Sequence, residues 1–312
     1  MPAHCSHARR LPRMGKASRR KRQTDGAPKA KRAPFVARPF EGLADEADWV
    51  AMREILPAAT ARINVVVPEG LEVDGTPVPA GEREVTLVTV LPGAMPAVHR
   101  DNGEVLVAMQ SRTSSGDASR DVAQSLLTAL VAEPGTSVTS VRPATADTPR
   151  MQDLVAEGQR LEVEVQEDFG FWLGEDATEE QRAALEQMNE NAVPMERVEG
   201  APSAYWCLMT GRAYIRWILG EDEDTATRAV ARLQAAGGHT LGEDTKLLGA
   251  FRANGLLVPV IEVDPQAEPS SHAGALAELQ ARYEQAAASD EPLTLPERKA
   301  RDGLVSRQVT LR

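Results

Sequence analysis

Apolar residues recur along this chain at helical spacing in some stretches and at every second position in others, and that change of rhythm predicts the order of its elements. From Pro34 onward, Asp45 is placed to cap a helix running to about Leu56. Trp49, Met52 and Leu56 share its apolar face and Pro57 stops it. Arg62–Val67 reads as a strand, followed by a Pro- and Gly-rich loop over 68–82 and an alternating strand Val85–Leu91. A hairpin spans Ala97–Gln110 about Asn102-Gly103, the strongest short turn signal in the chain. Asp117 then caps a helix through Val122, Leu126 and Leu130, and Thr148 with Pro149 introduces a short helix. Gln159–Gln166, QRLEVEVQ, is an alternating strand that should lie half exposed.

The second half runs in the same order. Thr178 with Gln181 forms a capping box for a helix ending near Asn191, and Val193–Val198 is a weak strand. A hairpin beginning at Ala204 turns at Thr210-Gly211 and feeds a helix capped by Asp224 or Thr225. Thr240 with Glu243 predicts a further helix carrying Leu247, Leu248 and Phe251 and stopping at Asn254-Gly255. Leu256–Val263 closes the half as a strand, with Pro259 pointing to a sheet edge or a bulge. An offset of 108 superposes residues 96–123 on 204–231 without a gap, placing Gly103 on Gly211 and Arg120 on Arg228. The expectation is therefore α+β: two tandem lobes from an internal duplication, each helix, three antiparallel strands, two helices, strand. The boundaries are a disordered arm 1–33, lobes 34–168 and 169–264, and a C-terminal helix and tail 265–312. In that last part a helix His272–Ala288 carries Leu276, Leu279 and Tyr283, and the end is read as a clasp over one lobe.

Charge changes this picture at one end. Residues 1–38 hold twelve Lys and Arg against Asp25 alone, a balance of +11 in a chain whose total is −11, so the remainder carries −22. Lys16, Arg19, Arg20, Lys21 and Arg22 have the density of a polyanion contact, to nucleic acid or ribosome; a solubilising tail tethered by the acidic body is the alternative. Met14 opens MGKASRRKRQ and offers a second start, which an intact mass distinguishes from Met1. No apolar run approaches the roughly 20 residues that cross a bilayer. Two distant cysteines fit a reducing, cytoplasmic setting better than a disulfide framework.

Candidate chemistry is sparse. His4, Cys5 and His7 supply three zinc-type ligands at cramped spacing without a fourth, and His99, His239 and His272 stand alone. Glu221, Asp222, Glu223 and Asp224 form the densest acidic patch, either a solvated helix start or carboxylates for a metal-assisted site. Cys207 alternates into a strand interior. Trp206, Tyr214 and Trp217, near Arg212 and Arg216, suit core packing better than a base-stacking platform, because a body at −22 repels a nucleic-acid backbone. No phosphate-cradling loop or nucleophile elbow is present, and no metal or cofactor is implied.

The blocks PFVARPFEGLADEADWVAMREILPAATA, FRANGLLVPVIEVD and SRQVTLR resemble an actinobacterial family of unknown function, domain of unknown function 5926, over essentially the whole chain from about Pro34. Members are sometimes labelled SEC-C motif or SecA-like proteins, because many begin with a short Cys-rich zinc element. This chain has only Cys5 near its start, so neither the zinc motif nor that label carries over, and the resemblance implies no activity. The functional expectation is a non-enzymatic cytosolic binding or adaptor protein, with the arm on a polyanion and the body on a protein partner. The alternative is a hydrolase or other metal-assisted enzyme using Glu221–Asp224 between the lobes.

Overall fold

The first apolar stretch is helical, as its spacing predicts: α1 runs Glu46–Glu54. A single apolar face does not describe it, however, since all six residues from Ala47 to Met52 are buried. A helix buried on every side lies between layers. In the computed structural model, which describes residues 31–174 and 177–306, those layers are two sheets.

The first sheet takes β1 (Ala59–Val67), then, after a small hairpin β2 (Glu72–Val73) and β3 (Thr76–Pro77), β4 (Gly81–Val90), β5 (Ala97–His99) and β6 (Val105–Gln110). Helix α2 (Ala118–Val131), strand β7 (Thr136–Val138) and β8 (Glu164–Val165) complete it, in the order β7-β5-β6-β4-β1-β8. The hairpin turns where Asn102-Gly103 predicts, but β6 lies parallel to β4, so this half is not wholly antiparallel. Asp117 caps α2 through Ser119 and Arg120 N–H, and its carboxylate lies within 3.2 and 3.3 Å of the Arg120 and Arg150 guanidinium groups. The Thr148-Pro149 signal yields only a 3-10 turn at Met151–Asp153, entered through Arg150.

After an exposed helix α3 (Glu179–Asn189), whose Thr178/Gln181 capping box is present, the second sheet begins. Strands β9 (Met195–Arg197), β10 (Ala204–Met209) and β11 (Arg212–Trp217), helix α4 (Glu223–Ala235), and strands β12 (Lys246–Ala253) and β13 (Leu256–Val263) build the order β12-β13-β11-β10-β9, antiparallel throughout. The helix expected over Leu247–Phe251 is therefore a strand. Asn254 and Gly255 take φ 43° and 85°, conformations that end a helix or turn a hairpin equally well, and pairing with the long apolar β13 decides for the hairpin. Gly255 is also required by space: a Cβ there would lie 2.8 Å from the Ala37 carbonyl oxygen. Pro259 is on an interior strand rather than an edge. It pairs with Ala250 of β12, next to the bulge between Leu247 and Gly249, and is accommodated because pairing with β11 on the other side ends at Val260. Asp222, not Asp224 or Thr225, caps α4.

The second half thus reads helix, three strands, helix, two strands. Residues 96–129 and 204–237 share a hairpin feeding a helix, with Gly103 and Gly211 both at positive φ, while the sheets around them differ in strand number and direction. Trp206, Ile215 and Trp217 face α4 and the closing helix α5 (Ala273–Ala287), where Tyr283 meets Trp217 edge-on at 5.1 Å. The final helix α6 (Leu295–Ser306) lies along α4 with Leu304 buried, as the clasp expectation has it. The opposite face of the sheet, with Tyr205, Cys207, Tyr214 and Val258, joins α1, α2 and the first sheet in one continuous core.

Within that core α1 is pinned on both sides. The Arg53 guanidinium donates to the Met109 carbonyl, and the Gln110 amide to those of Met52 and Leu56, tying it to β6. Toward the second sheet, buried Asp48 accepts from Ser203 Oγ, from Tyr205 Oη at 2.9 Å and from Arg197 Nη2 at 3.1 Å. Asp48→Ala should cost about 3 kcal/mol, at the low end of the range for a buried pair because Arg197 is partly exposed, and Tyr205→Phe about 1 kcal/mol. Urea unfolding followed by Trp fluorescence measures both; losses for Asp48→Ala below about 0.5 kcal/mol would show that the junction does not depend on this carboxylate.

Candidate functional site

The strand expected over Gln159–Gln166 pairs with β1 only at Glu164 and Val165. The preceding residues are drawn off the sheet edge by Asp45. Its backbone is left-handed at φ 56° and its carboxylate does not cap α1. It grips the Arg160 guanidinium at 2.5 and 2.7 Å and the Leu161 N–H at 3.0 Å instead, while the Leu161 side chain fills the core. This detour opens a cleft of about 760 Å³ where the edge of the first sheet meets the edge of the second, β8 lying against β9.

Most charges lining the cleft are already spent on holding its walls. Glu46 takes Arg38 in a two-point pair at 2.7 and 2.8 Å, which holds the Arg38 pKa above its usual value, and Arg38 also donates to the Gly220 carbonyl. Asp48 is saturated by its three donors. Burial, followed by the nearby Asp48 charge, raises the Tyr205 hydroxyl well above the usual phenol range, so it stays a donor. Ser203 sits at φ 49° with its hydroxyl committed to Asp48, and among the described residues no imidazole lines the cleft to activate it. Glu162 and Glu164 are exposed and, of the lining acids, are the two without an ion-pair partner among the described residues.

The residues singled out from sequence are dispersed. Glu221 accepts from Tyr283 Oη at 2.5 Å, Asp222 caps α4, Glu223 pairs with Arg252 at 2.5 Å and Asp224 with Arg228 at 3.3 Å. The Thr225 hydroxyl and N–H hold Asp222 below the usual carboxylate range. His239 lies past the other end of α4, a helix of about 20 Å, and is not gathered with these acids. Among the described residues no group of three or more His, Cys, Asp or Glu is arranged as metal ligands would be. His99 Nδ1 bonds the Ala132 carbonyl, and burial pushes the Cys207 thiol up and away from nucleophilic use. Trp206, Tyr214 and Trp217 are buried, which removes them as a stacking platform. Lys16, Arg19, Arg20, Lys21 and Arg22, with His4, Cys5 and His7, lie outside the described residues.

The family model described as Family of unknown function (DUF5926) matches residues 39–312, most of the chain. The chain belongs to DUF5926. The match takes in both sheets, the cleft and α6 of this DUF5926 chain and begins after the basic arm. Searches of curated proteins and of solved structures return no match. No helix among the described residues is long and apolar enough to cross a membrane.

The Asp48 cluster escaped the sequence reading because its partners lie some 150 residues away, at Arg197, Ser203 and Tyr205. The one local signal was an acid within the apolar run ADWVAM.

His239 and His272 are both held below the ordinary imidazole value by burial, each with one ring nitrogen lacking a hydrogen bond. The native state therefore binds fewer protons than the unfolded chain, so stability rises with pH up to about 6.5 and is lost on acidification. Urea midpoints should climb between about pH 5 and 7, and His239→Gln/His272→Gln should flatten that climb; an unchanged slope would assign it to other groups.

Proposed function

We propose that this DUF5926 chain is a non-enzymatic cytoplasmic binding protein that holds a protein partner at the cleft between the sheet edges and contacts a polyanion, nucleic acid or ribosome, through its basic arm. The cleft carries the reading. It is large, it is built from four separated parts of the chain, and three of its five lining acids, Asp45, Glu46 and Asp48, are paired so that they fix walls rather than stand ready for proton transfer. The dispersal of Glu221–Asp224 onto four different partners supports binding over metal-assisted hydrolysis, because carboxylates held by Tyr283, Arg252, Arg228 and a helix start are not free to converge on one ion.

The division of charge supports the arm's role: +11 over residues 1–38 against −22 beyond. Nucleic acid recovered with the full chain from lysate should fall sharply when residues 1–33 are removed. With the five cations of 16–22 engaged on a single strand, log K against log salt should have a slope of about −3.5. Equal recovery by both forms, or binding insensitive to salt, would defeat the polyanion assignment.

A further inference from the structure

The outer edge of β1 has a regular ladder with one missing rung. Its even-numbered residues turn their main-chain groups toward the edge: the Ala58 carbonyl accepts from Gln166, and Thr60 pairs with Glu164. Asn64 takes the Gln159 side chain on its N–H and the Ala156 N–H on its carbonyl, and the Val66 N–H donates to Leu154. Arg62 falls between them, opposite the stretch that Asp45 pulls away, and among the described residues no partner occupies its N–H and C=O on that side. Its guanidinium is exposed and makes no ion pair among the described residues. Sheet edges are ordinarily covered or filled.

Beside this gap, on the face of the sheet turned away from α1, lies a groove of about 280 Å³. Its acidic wall is Glu162 and Glu164, two residues apart and both unpaired, and its apolar lining comes from Val88, Leu106 and Phe171. Glu104, the remaining acid, is taken by Arg100 at 2.6 Å. Arg100 also donates to the Phe171 carbonyl at 2.7 Å and so holds the apolar wall in place.

We infer that this groove is a binding site for a free α-amino acid with an apolar side chain. The charged parts of such a molecule meet groups that the fold leaves unused, and its side chain extends an apolar cluster already closed on one side by Phe171 and Trp172. The carboxylate takes the Arg62 N–H and guanidinium, the ammonium donates to the Arg62 carbonyl and to Glu162 or Glu164, and the side chain lies against the partly buried Phe171, which packs on the buried Val88 and Leu106. A cation alone would leave Arg62 unmet, and an anion alone would face two carboxylates. The inference extends the binding-protein reading and depends on neither the arm nor a partner at the larger cleft. Because Glu162 and Glu164 line both cavities, the ligand would also bear on a wall of that cleft.

Titration calorimetry of the full chain with L-leucine and L-phenylalanine tests it, with isoamylamine and 4-methylpentanoate as probes lacking the carboxylate or the ammonium. Saturable binding of the amino acids is expected, with each truncated probe weaker by about tenfold or more, as for the loss of one charge-assisted contact. Arg62→Gln and Glu162→Gln/Glu164→Gln, all at exposed positions, should each weaken leucine by about tenfold while leaving the unfolding midpoint in place. In the unsubstituted chain, leucine should shift the Arg62 amide resonance. Absence of saturable binding up to about 10 mM, equal binding of isoamylamine, or variants that bind as the parent does would overturn the assignment.

Discussion

The structure depends on a carboxylate buried in an apolar setting. Asp48 lies on a helix whose other buried residues are Ala, Trp, Val and Met, and an unpaired charge there would cost several kcal/mol. Ser203, Tyr205 and Arg197 supply the donors, and all three come from the second sheet or its approach. Satisfying Asp48 therefore fixes where the second sheet sits on α1. Hydrophobic burial drives the association but is non-directional, and the hydrogen bonds select one register from the many an apolar surface permits.

The same economy explains the cleft. Asp45, three residues before Asp48, could have capped α1, but its carboxylate takes Arg160 and the Leu161 N–H. A strand that alternates well in sequence is shortened to two residues, and the displaced segment becomes a bridge between two cavities. The position of the cleft is thus set by what Asp45, at the start of α1, binds. The acid run at the start of α4 follows the opposite course: its charges are distributed among a cap, two arginines and a tyrosine, and each serves local structure.

The two hairpin-and-helix units show how far local similarity reaches. Gly103 and Gly211 both meet the demand of a tight turn for positive φ, and both units turn a buried helix face to the core. Their neighbours differ. β6 lies next to a parallel strand and β11 next to an antiparallel one, because the chain returns to the sheet by different routes.

What the residues alone determined is everything governed by near neighbours: α1, α2, α4 and α5, both hairpins with their turn glycines, the Thr178 box, the burial of Trp49, Trp206 and Trp217 and the separation of a basic arm from an acidic body. These follow from spacing, capping and turn chemistry, which act over a few residues. The tertiary structure decided the rest. Lys246–Ala253 has apolar spacing that suits a helix, and it is a strand because β13 offers a ladder. QRLEVEVQ has the alternation of a strand and is mostly not one, because Asp45 competes for its backbone at Leu161 from 116 residues away. The cleft and the groove were not legible at all, since each is a space left by pairings that did or did not form between distant segments, and a linear pattern carries no record of such a space.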